Sequence, residues 1–463
     1  MALVTIGRGR RWTAVRVILL VFLGGFYLAA ATAHARIVNL SKARGDQSGY
    51  LWDAQQVYAN WHGARPPHLI GQRMRMPAYA AFLALVYNPR LSNEEFFEAA
   101  KTANIWLSLA LLAGMAVLFE WWLPPWPAIN LTLIVAFSCF VFKAGYSQPE
   151  LLFYDLFFFT FVASISLLEQ RADPSRGIAL GALTGALAGA AHLTKAVMPP
   201  FLALFALVYA GQELVRLARA ADRRAAVRQC AWRAAALATV AASFVAVVFP
   251  YIATSRRVFG EYFFNHNTAS FMWYDTGTIA RAIVMPHMDE AGRVQMPVDQ
   301  LPTAQTYWRA HTATQVLNRL RVGVDDMMVR SYRGYGYLKY VALYLGFAIL
   351  LAATRWRAVR RLAATHAALV VFLLGYACLY IVSIAFFSET SGTGTIRFLL
   401  AHLAPLLFVL SLGFAAKTVR GVTWRIDGWP IRTTHFDLLV TTVVGLDLVL
   451  WLWPRLMTTY AGF

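Results

Sequence analysis

Residues 149–169 have the sequence PELLFYDLFFFTFVASISLLE, an apolar run that begins with a proline and carries acidic residues at positions 150, 155 and 169. A run of this length and composition can cross the hydrocarbon core of a bilayer as an α-helix. Further runs of this kind recur along the 463-residue chain. The sequence therefore predicts an all-α polytopic membrane protein with about eleven transmembrane helices.

The first predicted span also resembles a secretory signal, because arginines precede it and Ala33-His34-Ala35 follows it. It is long for a signal peptide, so we favour an uncleaved helix. In either case the next segment lies outside. The predicted spans are 17–33, 104–122, 127–144, 149–169, 177–194, 196–214, 234–252, 338–354, 363–387, 397–415 and 436–455.

The composition excludes a soluble enzyme, since 59% of the residues are hydrophobic and only 14% are charged. The net charge of +19 does not indicate nucleic-acid binding, because the basic residues form short bursts between apolar segments rather than one patch. These bursts, at about 171–176, 216–233, 355–361 and 417–432, all fall on one side of the predicted topology. The positive-inside rule then places the N-terminus inside and the C-terminus outside.

Two long segments, 35–103 and 253–337, face outward in this topology and hold most of the acidic residues. Both contain amphipathic, aromatic-rich stretches, such as Tyr50 to Trp61 and Asn93 to Ala103, that are typical of interfacial helices. No internal repeat is visible. We therefore predict a single membrane domain over 1–463, with a catalytic first outer loop and a second outer loop that binds substrate or acceptor.

Asp46 lies in the first outer loop, at or just before the predicted helix that contains Tyr50. One interpretation is that it caps this helix, where the helix dipole favours a carboxylate. The other is that it is a general base, an ionised carboxylate that takes a proton from an acceptor hydroxyl or amine.

Four basic residues are candidates for binding a phosphate at this membrane face. Arg73 and Arg75 follow Asp46 in the same loop, and guanidinium groups match phosphate oxygens through paired hydrogen bonds. Lys195 and Arg397 lie at the predicted outer ends of two spans. The alternative is that the arginines contact lipid head groups and that Lys195 snorkels to the interface.

Asp53 and Glu150 are candidates for a second acid, although Glu150 would also suit the start of a helix for electrostatic reasons alone. Asp155 and Asp447 fall within predicted spans, where an ionisable group usually faces a cavity or a partner. Asp155 would line the same site from below, and Asp447 has no assigned role.

Metal binding is not indicated. The histidines of the second outer loop, His266, His287 and His311, lack the close spacing of metal ligands, so we expect no catalytic metal and no cofactor. Cys139 and Cys378 fall in predicted spans and Cys230 in a basic loop, which predicts neither a disulfide nor a metal cluster. The polar surface around His266 and Asn267 would hold a sugar or an acceptor, or else pack against the interface.

Several motifs, taken in order, resemble those of the GT-C superfamily, polytopic glycosyltransferases that use polyprenyl-phosphate-linked sugars. Asp46-Gln47-Ser48-Gly49-Tyr50 resembles its acidic first-loop motif, and Arg75-Met76-Pro77-Ala78-Tyr79 resembles its Arg-x-Pro-x-Tyr motif. Later landmarks are Gln148-Pro149-Glu150, Thr194-Lys195, Phe249-Pro250-Tyr251 and Arg397-Phe398-Leu399. Within the superfamily the chain is similar to the bacterial protein mannosyltransferases and the lipid A aminoarabinose transferase.

This resemblance implies that Asp46 is the catalytic base of an inverting transfer and that Arg75, Lys195 and Arg397 hold the donor phosphate. Many members carry a second acid directly after the first, where this chain has Gln47, so Asp53 or Glu150 would have to supply it. The expected lining of the sugar or acceptor pocket is Gln47, Tyr50, Tyr79, His192, His266 and Asn267.

The sequence thus predicts a glycosyltransferase of the bacterial inner membrane, a hexosyl- or pentosyltransferase whose active site faces the periplasm. Its partners would be membrane lipids, a polyprenyl-phosphate sugar donor and a glycolipid, glycan (for example of lipopolysaccharide) or protein acceptor. Two alternatives remain. A transporter or lipid flippase would explain the many spans, and a polysaccharide polymerase or ligase would explain the arginines of the second outer loop.

Overall fold

The computed structural model describes residues 14–43, 46–63, 73, 75–170, 173–287, 295–333, 337–391, 395–420, 424–426 and 429–458. Within these ranges, 11 helical segments are long and apolar enough to cross a membrane, which confirms the predicted number of spans. Helices are numbered along the chain. Seven spans are single helices: α1 (Ala14–Val38), α4 (Asn93–Trp122), α7 (Glu150–Glu169), α8 (Pro174–Thr194), α9 (Met198–Arg219), α10 (Arg223–Phe259) and α16 (Ala367–Ser391). An eighth, α15 (Tyr337–Thr365), is helical on both sides of a kink at Arg355, where the backbone is not helical.

Three spans are composite. The third consists of α5 (Pro125–Val135), a π-helix (Ala136–Phe140) and α6 (Val141–Lys143). The tenth consists of α17 (Thr395–Leu400) and α18 (Leu403–Ala415). The eleventh consists of α20 (Thr433–Asp447), a π-helix (Leu448–Leu452) and α21 (Trp453–Leu456).

Helix α7 is the most enclosed of the described spans, with 78% of its most apolar 18-residue window buried. Its rings of Phe157, Phe158 and Phe161 have no exposed surface. Lipid tails are as apolar as these side chains, so close packing rather than a hydrophobic driving force holds the neighbouring spans around α7. The first residue of α7, Glu150, consequently lies among the ends of other helices.

A stripe of glycines on α8 allows α10 to approach closely. The stripe has one glycine on every turn, at Gly177, Gly181, Gly185 and Gly189. A Cβ atom on Gly185 would lie 2.2 Å from the carbonyl oxygen of Val240. Small residues at this spacing are a general device for close helix packing in membranes. This contact joins α8, which precedes Lys195, to α10, which leads into the second outer loop.

The first outer loop contains α2 (Gln47–Trp61) and α3 (Pro77–Ala84). Their apolar faces form a small core with the first turns of α4, in which Tyr79, Leu83 and Phe96 are almost fully buried. The predicted separate helix over Asn93 to Ala103 is wrong. A capping box between Ser92 and Glu95 starts a single helix there, which continues without a break to Trp122.

The second outer loop contains α11 (His266–Ala269), α12 (Gly277–Val284), α13 (Ala304–Ala310) and α14 (Ala313–Arg333). Three 3₁₀ turns, Phe271–Trp273, Met285–His287 and Val298–Gln300, lie between them. Helix α14 packs along α16, where a Cβ atom on Gly323 would lie 2.0 Å from the carbonyl oxygen of Ala385. The loop is therefore built onto the membrane domain.

The all-α prediction holds except for one short hairpin. Helix α19 (Lys417–Arg420) precedes strands β1 (Trp424–Ile426) and β2 (Trp429–Ile431), which pair antiparallel with Trp424 opposite Ile431. This hairpin lies in the last basic loop, between the tenth and eleventh spans.

We predict that Gly185→Ala destabilises the protein, because the added methyl group meets backbone rather than a movable side chain. Overpacking of this kind typically costs about 1–3 kcal/mol. The measurement is the thermal unfolding midpoint of the purified protein in detergent. Gly413→Ala is the matched control, since no atom lies within 4 Å of its Cβ position. Equal midpoints for the two variants would contradict close packing of α8 on α10.

Candidate active site at the outer ends of α7, α8 and α17

Glu150 is the centre of the site. It occupies the first turn of α7 with only 3% of its side chain exposed. Its Oε1 atom accepts a hydrogen bond from Lys195 Nζ at 3.0 Å and lies 3.6 Å from Arg397 Nη1. An ionised carboxylate is costly to bury without compensating charge, and these two cations supply that charge for Glu150.

Asp46 contacts Arg397 through the same Nη1 atom that lies near Glu150. Its Oδ2 atom accepts a hydrogen bond from Arg397 Nη1 at 3.1 Å, and 54% of its side chain is exposed. Although Asp46 stands at the N-cap position of α2, its side chain makes no capping hydrogen bond. The capping interpretation is therefore wrong, and Asp46 faces the cluster and the solvent.

Arg397 is thus shared between an exposed carboxylate and a buried one. Its backbone is held in place because its carbonyl oxygen accepts a hydrogen bond of 2.5 Å from the Tyr154 hydroxyl, one turn into α7. The guanidinium also keeps a free donor, since Nε is buried without a hydrogen-bond partner among the described residues. The second carboxylate oxygen of Glu150, Oε2, is likewise buried without a hydrogen-bond partner among the described residues, so Glu150 keeps an unused acceptor.

A second ion pair joins Arg75 to Asp53, with Nε 2.6 Å from Oδ2. The guanidinium lies flat against α2, where a Cβ atom on Gly49 would come within 2.3 Å of Nη1. Burial raises the pKa of the Asp53 carboxyl above its ordinary value, and Arg75 opposes this shift. Arg75 is therefore committed to Asp53, and its role at a donor phosphate stays a prediction.

Gln47 links three segments of the chain around the site through hydrogen bonds. Its Oε1 atom accepts hydrogen bonds from Asn39 Nδ2 at 2.7 Å and from the backbone N–H of Ser147 at 2.9 Å. Its Nε2 atom donates back to Asn39 Oδ1 at 2.9 Å. With no exposed surface, Gln47 connects α1, α2 and the turn before α7. This arrangement favours a structural role over the predicted contact with a sugar.

Tyr50 and Tyr79 also lie in the interior of the first loop. The Tyr79 hydroxyl donates to Asn104 Oδ1 at 2.9 Å, and the Tyr50 ring stands edge-on to it at 5.5 Å. Burial raises the pKa of both phenols well above the usual value, and the nearby carboxylate of Glu150 raises each further. Both phenols are therefore neutral and support the site rather than act as bases.

Arg73 faces away from this cluster and joins the two outer loops. Its Nη2 atom donates to the carbonyl oxygen of Tyr251 at 3.1 Å, and its guanidinium carbon lies 3.8 Å from the centre of the Tyr251 ring. Its own carbonyl accepts the N–H of His266 at 3.0 Å, from a backbone with a φ of 60°. Only 4% of Arg73 is exposed, which favours a structural role over phosphate binding.

The remaining pocket candidates surround Tyr251 and the second loop. His192 is buried among the rings of Phe244, Tyr251 and Phe263, and neither of its ring nitrogens has a hydrogen-bond partner among the described residues. His266 is also buried, whereas Asn267 is exposed. Their role as a sugar or acceptor pocket stays a prediction.

Lys143 is a member of the cluster that the sequence analysis missed. It ends the third span, is only 2% exposed, and interacts electrostatically with Glu150. Its position, a lysine at the outer end of a span, is the same signal that identified Lys195. Burial lowers the pKa of Lys195 below its ordinary value, and the Glu150 carboxylate opposes this. With all groups charged, three cations face the two carboxylates of Asp46 and Glu150, a surplus of one positive charge.

The two acidic residues predicted within spans, Asp447 and Asp155, differ in their hydrogen-bond and ion-pair partners. Asp447 pairs with Lys339 and accepts a hydrogen bond from the Tyr340 hydroxyl at 2.6 Å, which supplies the partner that its depth requires. Asp155 is fully buried in α7, and neither of its oxygens has a hydrogen-bond partner among the described residues. In the part of the chain that the structure describes, no group of three or more potential ligands is placed to hold a metal ion.

Comparison of the chain with models of known protein families, with curated proteins and with solved structures finds no significant match. The site itself consists of an exposed carboxylate, a shared arginine, a buried carboxylate, one buried lysine (Lys143) and one partly buried lysine (Lys195).

We predict that Gln47→Leu lowers the stability of the protein, because it leaves the buried amide of Asn39 and the N–H of Ser147 without their partner. The expected loss is about 1–3 kcal/mol. It is measured as a drop in thermal unfolding midpoint in detergent. Gln55→Leu is the control, since Gln55 lies on the same helix and makes only an exposed hydrogen bond to Asn93. An unchanged midpoint for Gln47→Leu would contradict its structural role.

Proposed function

We propose that the protein is an inverting glycosyltransferase of the GT-C type. It would transfer a sugar from a polyprenyl-phosphate donor to an envelope acceptor at the periplasmic face of the bacterial inner membrane. The observation that carries this proposal is the 3.1 Å contact between exposed Asp46 and Arg397, which places a potential base beside cations suited to a phosphate. The 11 candidate spans give such a site a membrane from which a lipid-linked donor can enter.

In the proposed reaction, the Asp46 carboxylate accepts the proton of the acceptor hydroxyl or amine. The acceptor atom then attacks the anomeric carbon from the face opposite the phosphate, and a new glycosidic bond forms with inverted configuration. The bond between the anomeric carbon and the phosphate oxygen breaks, and its electron pair stays on the phosphate. Arg397 and Lys195 stabilise the resulting charge, which is where fixed cations contribute most to such a step.

Glu150 is a positioning residue in this scheme rather than a second base. Its side chain is only 3% exposed, and its Oε1 atom is already engaged by Lys195. It fixes both cations at the membrane surface, so that little rearrangement is needed when charge develops on the phosphate.

The ligase alternative depends on free arginines in the second outer loop, and two of these are already engaged. Buried Arg319 donates to the carbonyl oxygens of Phe386 and Met272, and Arg330 pairs with Asp326. This favours a site centred on the acid of the first loop.

We predict that Asp46→Asn abolishes sugar transfer while the protein reaches the membrane in normal amount. Loss of a general base typically costs about 10²–10⁴-fold in rate. The measurement is mass spectrometry of envelope glycolipids and glycoproteins in a deletion strain, complemented by wild type or by the variant. The deletion strain should lack one sugar residue, which wild type restores and Asp46→Asn does not.

Asp299→Asn serves as the control, because Asp299 is an exposed acid of the second outer loop. It should restore the missing sugar fully. Normal restoration by Asp46→Asn would remove Asp46 from the mechanism, and an unchanged envelope in the deletion strain would contradict the transferase proposal itself.

A further inference from the structure

We propose that the anionic group of the donor competes with Asp46 for Arg397, so that donor binding is what frees the catalytic carboxylate. This inference rests on the proposed function and adds a binding order to it. The donor would bind first, and the base would become available to the acceptor only afterwards. Arg397 is shared unequally between its two carboxylates, exposed Asp46 and buried Glu150.

Of the two carboxylates on Arg397, Asp46 is the one that can leave. Its side chain is 54% exposed, and it makes no capping hydrogen bond to its own helix. Water can therefore solvate it as soon as the contact with Arg397 breaks. Exposed ion pairs of this kind contribute little to stability, so a ligand can replace one readily.

Glu150, in contrast, cannot leave. Its side chain is 3% exposed, and Lys195 holds its Oε1 atom at 3.0 Å in addition to Arg397 at 3.6 Å. Separating a buried carboxylate from its cations is far more costly than breaking an exposed pair. Arg397 therefore stays attached to α7 through Glu150 while its outer partner is exchanged.

The exchanged partner should be an anion with several oxygens. Arg397 Nε is buried without a hydrogen-bond partner among the described residues, so the guanidinium has donor capacity beyond its contacts through Nη1. A planar guanidinium binds phosphate oxygens in pairs, which a single carboxylate oxygen at 3.1 Å does not match. The surplus positive charge of the cluster also favours an incoming anion.

The exchange has a chemical consequence for Asp46. While Arg397 holds Asp46, the Oδ2 atom of Asp46 is occupied by the hydrogen bond from Nη1. Once phosphate takes Arg397, that oxygen is free to accept the proton of the acceptor. The site thereby couples activation of the acceptor to the presence of the donor.

The test measures binding of farnesyl phosphate, a short prenyl monophosphate, to purified protein in detergent by tryptophan fluorescence. We expect Asp46→Asn to bind it about two- to fivefold more tightly than wild type, the range that an exposed ion pair supports. Arg397→Gln should bind it more weakly. In the Arg397→Gln background, Asp46→Asn should have no further effect. Asp299→Asn should leave the Kd unchanged.

A site-specific readout covers the case in which Arg397→Gln does not fold. Phenylglyoxal modification, followed by peptide mass spectrometry, reports the concentration of farnesyl phosphate that half-protects Arg397, whose side chain is 28% exposed. This concentration should be lower in Asp46→Asn than in wild type. Exposed Arg309 of the second outer loop should be modified equally in all samples.

Unchanged or weaker binding of farnesyl phosphate by Asp46→Asn would overturn the exchange. The exchange would also be overturned if Asp46→Asn tightened binding equally in the Arg397→Gln background, because that result would indicate general charge repulsion. These outcomes separate the two proposals. Tight binding together with normal sugar transfer by Asp46→Asn would contradict the proposed function alone. Lost transfer without tighter binding would contradict the exchange alone.

Discussion

A buried carboxylate at the start of the most enclosed span is the constraint on which the site depends. Glu150 has 3% of its side chain exposed, and such a charge is tolerated only where cations surround it. Those cations are Lys143, Lys195 and Arg397, which lie far apart in sequence and belong to the ends of three different spans. The need to compensate one acid therefore brings four spans together at one face of the membrane domain. Asp46 joins them through its hydrogen bond with Arg397.

Two kinds of packing hold this arrangement in place. Glycines on every turn of α8 allow α10 to come into backbone contact, which fixes the helix that precedes Lys195. In the first loop, the fully buried amide of Gln47 connects α2 to α1 and to the turn before α7. Neither feature carries chemistry, yet both determine whether Asp46 lies within reach of Arg397. Substitutions at a distance from the charges should therefore act on the site through geometry.

The number of spans was predictable from sequence because hydropathy is a local signal. Their ends were less so, since α4 begins at Asn93 and α10 runs from Arg223 to Phe259, well beyond the predicted 104–122 and 234–252. The grouping of Asp46, Glu150, Lys195 and Arg397 followed from the predicted topology, which puts the last three at outer ends of spans and Asp46 in the first outer loop. The roles of the neighbouring arginines, Arg73 and Arg75, could not be predicted from the sequence. Arg73 and Arg75 are two residues apart, but a φ of 60° at Arg73 directs it to Tyr251, while Arg75 pairs with Asp53. Such divergence depends on tertiary contacts that no local pattern encodes. Lys143, in contrast, could have been predicted, because it is a lysine at the end of a span, as Lys195 is.

Proximity of Asp46 to Arg397 is the central claim, and cysteine cross-linking tests it most directly. In a background without the three native cysteines, Asp46→Cys and Arg397→Cys are combined and treated in native membranes with a short-spacer bifunctional thiol reagent. The account predicts an efficient cross-link, identified by peptide mass spectrometry. Asp46→Cys with Lys417→Cys, at the opposite ends of the spans, should give none. Failure of the first pair to cross-link while both thiols react singly would contradict the account.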